Sequence, residues 1–175
     1  MISSPPNGET QAMSNAEEYE DRAARIASEL GELCETHQIV VGVAESLTGG
    51  KIASQLAAVP GSGNWFAGAV VAYFSDVKHQ LLRVPRGPVI SQTAAESMAS
   101  SACTLLGSDA AVAASGAGGP SGQEGQEPGT TWLAVAVGSE VYSERQIFSG
   151  EPIEILAQTQ ERALALLRDV LREAI

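Results

Sequence analysis

Three polar breaks in the chain hold the side chains that could do chemistry. In the first, Ser46 and Thr48 stand just before Gly49-Gly50 and the start of a short helical segment. The free N–H groups and positive dipole end of such a helix can hold an anion, so Ser46 suits a nucleophile, a phosphate ligand or simply a helix cap. In the second break, Tyr73 closes an apolar run, Ser75 is placed to cap the next helix, and Lys78 falls in that helix's first turn. The positive helix end disfavours the ammonium form and burial would do so further, the conditions under which a lysine acts as a base near neutral pH; the alternative is an ordinary surface lysine. The third break, Ser115 to Gly122 (SGAGGPSG), offers a hydroxyl and a row of glycine N–H groups.

Other chemistries fit less well. Gly49-Gly50-Lys51 invites comparison with a phosphate-binding loop, but Glu45 occupies the required first glycine position and Ile52 follows the lysine. Gly116 to Gly122 falls out of register as a dinucleotide fingerprint and leads to another strand rather than a helix. Ser75 and Lys78 spell Ser-x-x-Lys, yet no Lys-Thr-Gly follows as penicillin-recognising enzymes require. His37 and His79 read as helix-surface residues. Two histidines, the distant Cys34 and Cys103, and no clustered carboxylates give no metal-ligand pattern. A serine with a lysine base remains.

The elements that must position these groups follow from periodicity. Residues 1–14 are polar, contain Pro and Gly and show no period, which predicts a disordered tail ahead of one domain over 15–175. Asn15 and Glu18 resemble a capping box opening a helix to about residue 36. Short β-branched runs at Ile39–Ala44, Phe66–Phe74 and Asp109–Ser115 read as buried strands, with helices over 51–59, from Ser75, and from a Thr93/Glu96 capping box to Leu106. After a long loop, Gly116 to Gly129, two apolar runs flank Gly138-Ser139 and predict an antiparallel hairpin. An amphipathic helix from about Ile153 closes the chain. Strands alternating with helices, plus one hairpin, predict a three-layer α/β/α sandwich with a mixed sheet. Ligands of such sheets bind where strand ends lead into helices, which is where all three breaks fall.

Formal net charge is −11, with only ten Lys and Arg scattered along 175 residues, which argues against nucleic acid as a partner. Hydrophobic residues at 44% supply a normal core, and no apolar run is long enough for a membrane span or a signal peptide, so a cytoplasmic setting is expected.

Taken in order, AESLTGG at 44–50, PGSGNWFAGAVVAYFSDVK at 60–78, SGAGGPSG at 115–122 and GTTWLAVA at 129–136 resemble the CinA C-terminal family of nicotinamide mononucleotide amidohydrolases. The resemblance runs from about Val41 to the last helix. It implies an α/β sandwich that hydrolyses the carboxamide of a small-molecule nucleotide without a cofactor, in a homo-oligomer. It implies catalytic roles for Ser46 as nucleophile and for Tyr73 and Lys78. Substrate contacts would come from Glu45, Thr48, Gly49 and Gly50 and from Ser115, Gly116, Gly118 and Gly119. Here Leu47 replaces the family's usual cysteine, Phe74-Ser75 replaces Ser-Asn, and the usual lysine before the Pro-x-Gly-Thr stretch is missing. Gly150-Glu151-Pro152 stands where the family has Gly-Asp-Arg. Arg145 and Arg162 are candidates to replace that arginine, and the alternative function is a catalytically silent module that binds a nucleotide or a protein. The catalytic reading further predicts that Ser46, Tyr73 and Lys78 converge at one end of the sheet. Ser46 Oγ would lie within about 3 Å of Lys78 or Tyr73, with the glycine loop as the opposite wall.

Overall fold

The computed structural model describes residues 7–175. Five strands form one mixed sheet in the order β2-β1-β3-β4-β5: β1 (Val41–Glu45), β2 (Phe66–Val71), β3 (Ala110–Gly116), β4 (Thr130–Val137) and β5 (Glu140–Ile147). The three strands β2, β1 and β3 run parallel, while β4 and β5 add antiparallel as the expected hairpin. Gly138, at φ 58°, supplies the left-handed turn residue between them. The helices are α1 (Gly8–His37), α2 (Lys51–Ala57), α3 (Ser75–Leu81), α4 (Gln92–Leu106) and α5 (Pro152–Ala174).

Side chains alternate across a strand, and the sequence uses the alternation to build two unlike cores. Val41, Val43, Val112, Leu133 and Val135 point to one face and pack with α1, α2 and α5. Ala44, Ala111, Ala113, Ala134 and Ala136 point to the other, where Ala94, Ala95, Met98, Ala99 and Ala102 bring α4 against the sheet. Small side chains on both partners allow that close approach. The result is the three-layer α/β/α sandwich the sequence predicts. On the outer layer α1 and α5 also carry polar ties, among them Arg22 Nε to Glu161 (2.9 Å) and Arg168 to Glu29 (3.1 Å).

Several boundaries differ from the sequence reading. Helix α1 begins at Gly8, so residues 8–14 are helical rather than tail; the expectation for residues 1–6 lies outside the described residues. The cap is Asn7, whose side chain accepts from Thr10 N–H at 2.8 Å. Asn15 sits in the helix interior, where its amide donates to Glu154 at 2.8 Å. Strand β2 stops at Val71, because Phe74 already serves as the N-cap of α3 in place of Ser75. Ser91, not Thr93, caps α4 by accepting from Ala94 N–H at 3.1 Å. The last helix opens on a capping box of Glu151 and Glu154 with Pro152 in the first turn.

From β1 the chain crosses by α2 to β2 on one side, then by α3 and α4 to β3 on the other. Such a reversal opens a crevice at the carboxyl ends of β1 and β3. Ser46 follows the first of these strands and Ser115 lies at the end of the second.

Candidate active site

At that switch point lies a cleft of about 530 Å³, lined among others by Ser46, Leu47, Tyr73, Lys78, Val89, Ile90, Ser115, Gly116, Gly118 and Gly119. Pro152 and Leu156 from the start of α5 complete its rim. The three breaks therefore meet, although 69 residues separate Ser46 from Ser115. That size suits a small molecule.

Ser46 is held by its backbone: its N–H donates to Ala114 O at 3.1 Å, which continues the sheet one residue past β1. Its hydroxyl makes no hydrogen bond among the described residues and stays available to the cleft. Lys78 is 3% exposed, and its Nζ donates to the Tyr73 carbonyl at 3.2 Å. Burial holds the Lys78 ammonium below the ordinary lysine range, and the nearby Glu124 carboxylate offsets part of that effect. The expected hydrogen bond from Ser46 Oγ to Lys78 or Tyr73 is not formed. An amine taken out of water needs an acceptor, and the Tyr73 carbonyl, just past β2, supplies one closer to hand. The Tyr73 side chain is 69% exposed at the cleft mouth.

Four of the residues expected to touch substrate do not line the cleft. Glu45 is fully buried and its carboxylate accepts the N–H groups of Ile52 (2.9 Å) and Ala53 (3.0 Å), the first-turn donors of α2. The anion site expected at that helix end is thus filled by the chain's own carboxylate. Thr48 is buried with its hydroxyl unpartnered. Gly49 and Gly50 adopt φ 59° and 104°, left-handed conformations that turn the chain from β1 into α2.

Ser115 does line the cleft, but its hydroxyl donates to Val89 O at 2.6 Å. Beyond it, Ala117 N–H is spent on Thr130 O (2.9 Å), whereas Gly118, Gly119, Ser121 and Gly122 line the cleft with N–H groups that find no acceptor among the described residues. Leu47 N–H is likewise uncommitted beside the serine. Sequence reasoning missed Val89 and Ile90, which follow Pro85 and Pro88 between α3 and α4, and it missed Glu124. Neither arginine candidate reaches the cleft: Arg162 is locked to Glu144 by two bonds of 2.5 and 2.6 Å, and Arg145 lies opposite Trp132 on β5. Among the described residues, Lys78 is the only lysine or arginine in the lining. Among the described residues, no three His, Cys, Asp or Glu side chains gather where they could hold a metal ion.

Fold and cleft together define a class: an α/β sandwich that gathers a serine, a buried lysine and a glycine loop at its topological switch point. The chain belongs to the CinA C-terminal domain family, whose model matches residues 23–171. It is 40% identical over 150 residues to the nicotinamide-nucleotide amidohydrolase PncC of Pseudomonas putida, covering 82% of this chain and 94% of that protein. A CinA-like protein of Flavobacterium psychrophilum is 33% identical over 79% of this chain, which spans 34% of that longer relative. Among solved structures, a CinA superfamily protein from Klebsiella pneumoniae superposes with TM-score 0.83 at 27% identity, covering 86% of this chain and 98% of that one. One from Escherichia coli gives 0.80 at 27% identity over 96% and 95%. No helix of the described residues is long and apolar enough to cross a membrane.

Proposed function

We propose that the protein is an amidohydrolase that converts nicotinamide mononucleotide to nicotinate mononucleotide and ammonia. The observation that carries this reading is the meeting of Ser46, whose hydroxyl is uncommitted, with the buried Lys78 in one cleft. Neutral Lys78, oriented through Tyr73, takes the Ser46 proton as Ser46 Oγ bonds to the carboxamide carbon. The N–H groups of Leu47 and of Gly118 and Gly119 stand ready to hold the oxyanion that forms. Collapse breaks the C–N bond, and the Lys78 proton leaves with ammonia. Water, deprotonated by the same amine, then cleaves the acyl-serine ester and returns the hydroxyl to Ser46, releasing the carboxylate. The similarity to the Pseudomonas putida amidohydrolase supports the substrate. Purified protein incubated with nicotinamide mononucleotide tests it: ammonia and nicotinate mononucleotide should appear in equal amounts and in proportion to protein. A flat trace from folded protein overturns it.

One observation favours a second reading, a silent module that binds a nucleotide or a protein. Pro152 lies in the cleft lining where the resembled family carries arginine, so Lys78 is left as the single cation there. Binding of the nucleotide without turnover would select it. The amidase reading goes with a cytoplasmic setting and with a homo-oligomer; Phe74, 80% exposed beside Tyr73, supports the latter, and light scattering in solution tests it.

A further inference from the structure

The glycine loop does not hang free over the cleft. Its distal part is a two-residue hairpin in which Gln123 N–H donates to Gln126 O (3.1 Å) and Gln126 N–H donates back to Gln123 O (2.9 Å). Glu124 and Gly125 form its tip at φ 54° and 73°. A tip with both residues left-handed is a type I′ turn, which selects Asn-Gly or Gly-Gly because a larger side chain is strained there. Glutamate is a poor choice for such a turn, and a strained residue that persists points to a use for its side chain.

That use is visible across the cleft. The Glu124 carboxylate accepts Val89 N–H with both oxygens (3.1 and 3.0 Å) and Ile90 N–H with one (2.9 Å). On the other edge of the same segment Ser115 Oγ donates to Val89 O at 2.6 Å. The strap at Val89 and Ile90 is thus gripped from both sides, and it joins the cleft wall to Ser91, the cap of α4. We propose that Glu124 is a positioning residue, a clasp that fixes the Val89–Ile90 wall to the glycine loop and so sets the width of the cleft. Its effect on turnover rests on the amidohydrolase reading; the clasp itself does not.

Two variants of the full chain separate the side chain's work from the turn's. Glu124→Asn suits the turn better but is too short to reach Val89; Glu124→Gln keeps the length and one acceptor oxygen. Hydrogen exchange without ligand should show the Val89 and Ile90 amides at least about tenfold faster in Glu124→Asn and less so in Glu124→Gln, while the melting temperature of Glu124→Asn does not fall. With nicotinamide mononucleotide, Glu124→Asn should raise KM about fivefold or more with a smaller change in kcat, and Glu124→Gln should recover part of it. Unchanged exchange overturns the clasp, and faster exchange with unchanged kcat/KM overturns its positioning role. If the wild-type chain does not turn over this substrate, the amidohydrolase reading falls alone and the exchange rates still decide the clasp.

Discussion

Lys78 Nζ donates to the backbone carbonyl of Tyr73 across 3.2 Å, so the amine in the first turn of α3 is tied to the chain leaving β2. The bond aims Lys78 without neutralising it, since a carbonyl takes no proton.

For Lys78 to act as a base it must be neutral, and burial holds its ammonium below the ordinary lysine value of about 10.4. The rate should therefore rise with pH along a limb that ends below that value. Arginine in its place cannot release a proton, so Lys78→Arg should lower kcat/KM by about 10³ and abolish the limb, measured by ammonia release against pH.

The same group costs stability. Because its folded value is lowered, the whole penalty is present below that value and is relieved as pH rises from it toward the ordinary lysine value. Lys78→Met should thus melt at or above wild type at neutral pH, and the wild type should gain on it as pH climbs, followed by calorimetry. An unchanging gap would mean that Lys78 is not buried as an ammonium.

Ser46→Ala removes a hydroxyl that makes no hydrogen bond among the described residues. The melting temperature should hold within about 2 °C, whereas turnover should fall by a factor on the order of 10⁴ or more. Near-normal rate would remove Ser46 as nucleophile.

Glu45 acts one residue away and in the opposite manner. Glu45→Ala leaves the first-turn donors of α2 unsatisfied in a buried place, a loss of about 1–3 kcal/mol, seen as a melting temperature lower by roughly 3–10 °C. Turnover should fall as well, because the loop that presents Ser46 then loses its side-chain tie to α2. Loss of activity without loss of stability would instead put Glu45 on the substrate.

These contrasts also mark what the sequence could and could not reveal. The strands were legible because β-branched and alanine runs bounded by glycine have few alternatives, and the meeting of Ser46, Tyr73, Lys78 and Ser115 follows from the alternation that builds a parallel sheet. The start of α1 was not, since its first turns bury only Ala12 and Ala16 and show no apolar period. A glutamate at the end of β1 reads the same whether it faces a ligand or folds back onto α2; the choice depends on the left-handed Gly49 and Gly50, which sequence places but does not orient. Glu124 was hidden for a related reason. Its Glu-Gly tip lacks the asparagine that announces such a turn, and its partners Val89 and Ile90 lie some 35 residues away.

Pro152 carries the last prediction. It lines the cleft at the first turn of α5, but that helix end is already occupied by the Glu151 and Glu154 carboxylates of the capping box and offers little to an anion. The end of α2 is likewise filled by Glu45. A substrate phosphate is then left with glycine-loop N–H groups and the single cation Lys78, a weak receptor for two negative charges. Pro152→Arg leaves the capping box in place and adds a guanidinium at the rim, where a charge-assisted pair to phosphate is strong and geometrically specific. KM for nicotinamide mononucleotide should fall by about tenfold, equivalent to about 1.4 kcal/mol, with kcat little changed. Against the riboside, which lacks the phosphate and keeps the pyridinium charge, the same substitution should bring no such gain. Equal effects on both would show that position 152 shapes the cleft without meeting the phosphate, and no effect on either would place the phosphate at the glycine loop alone.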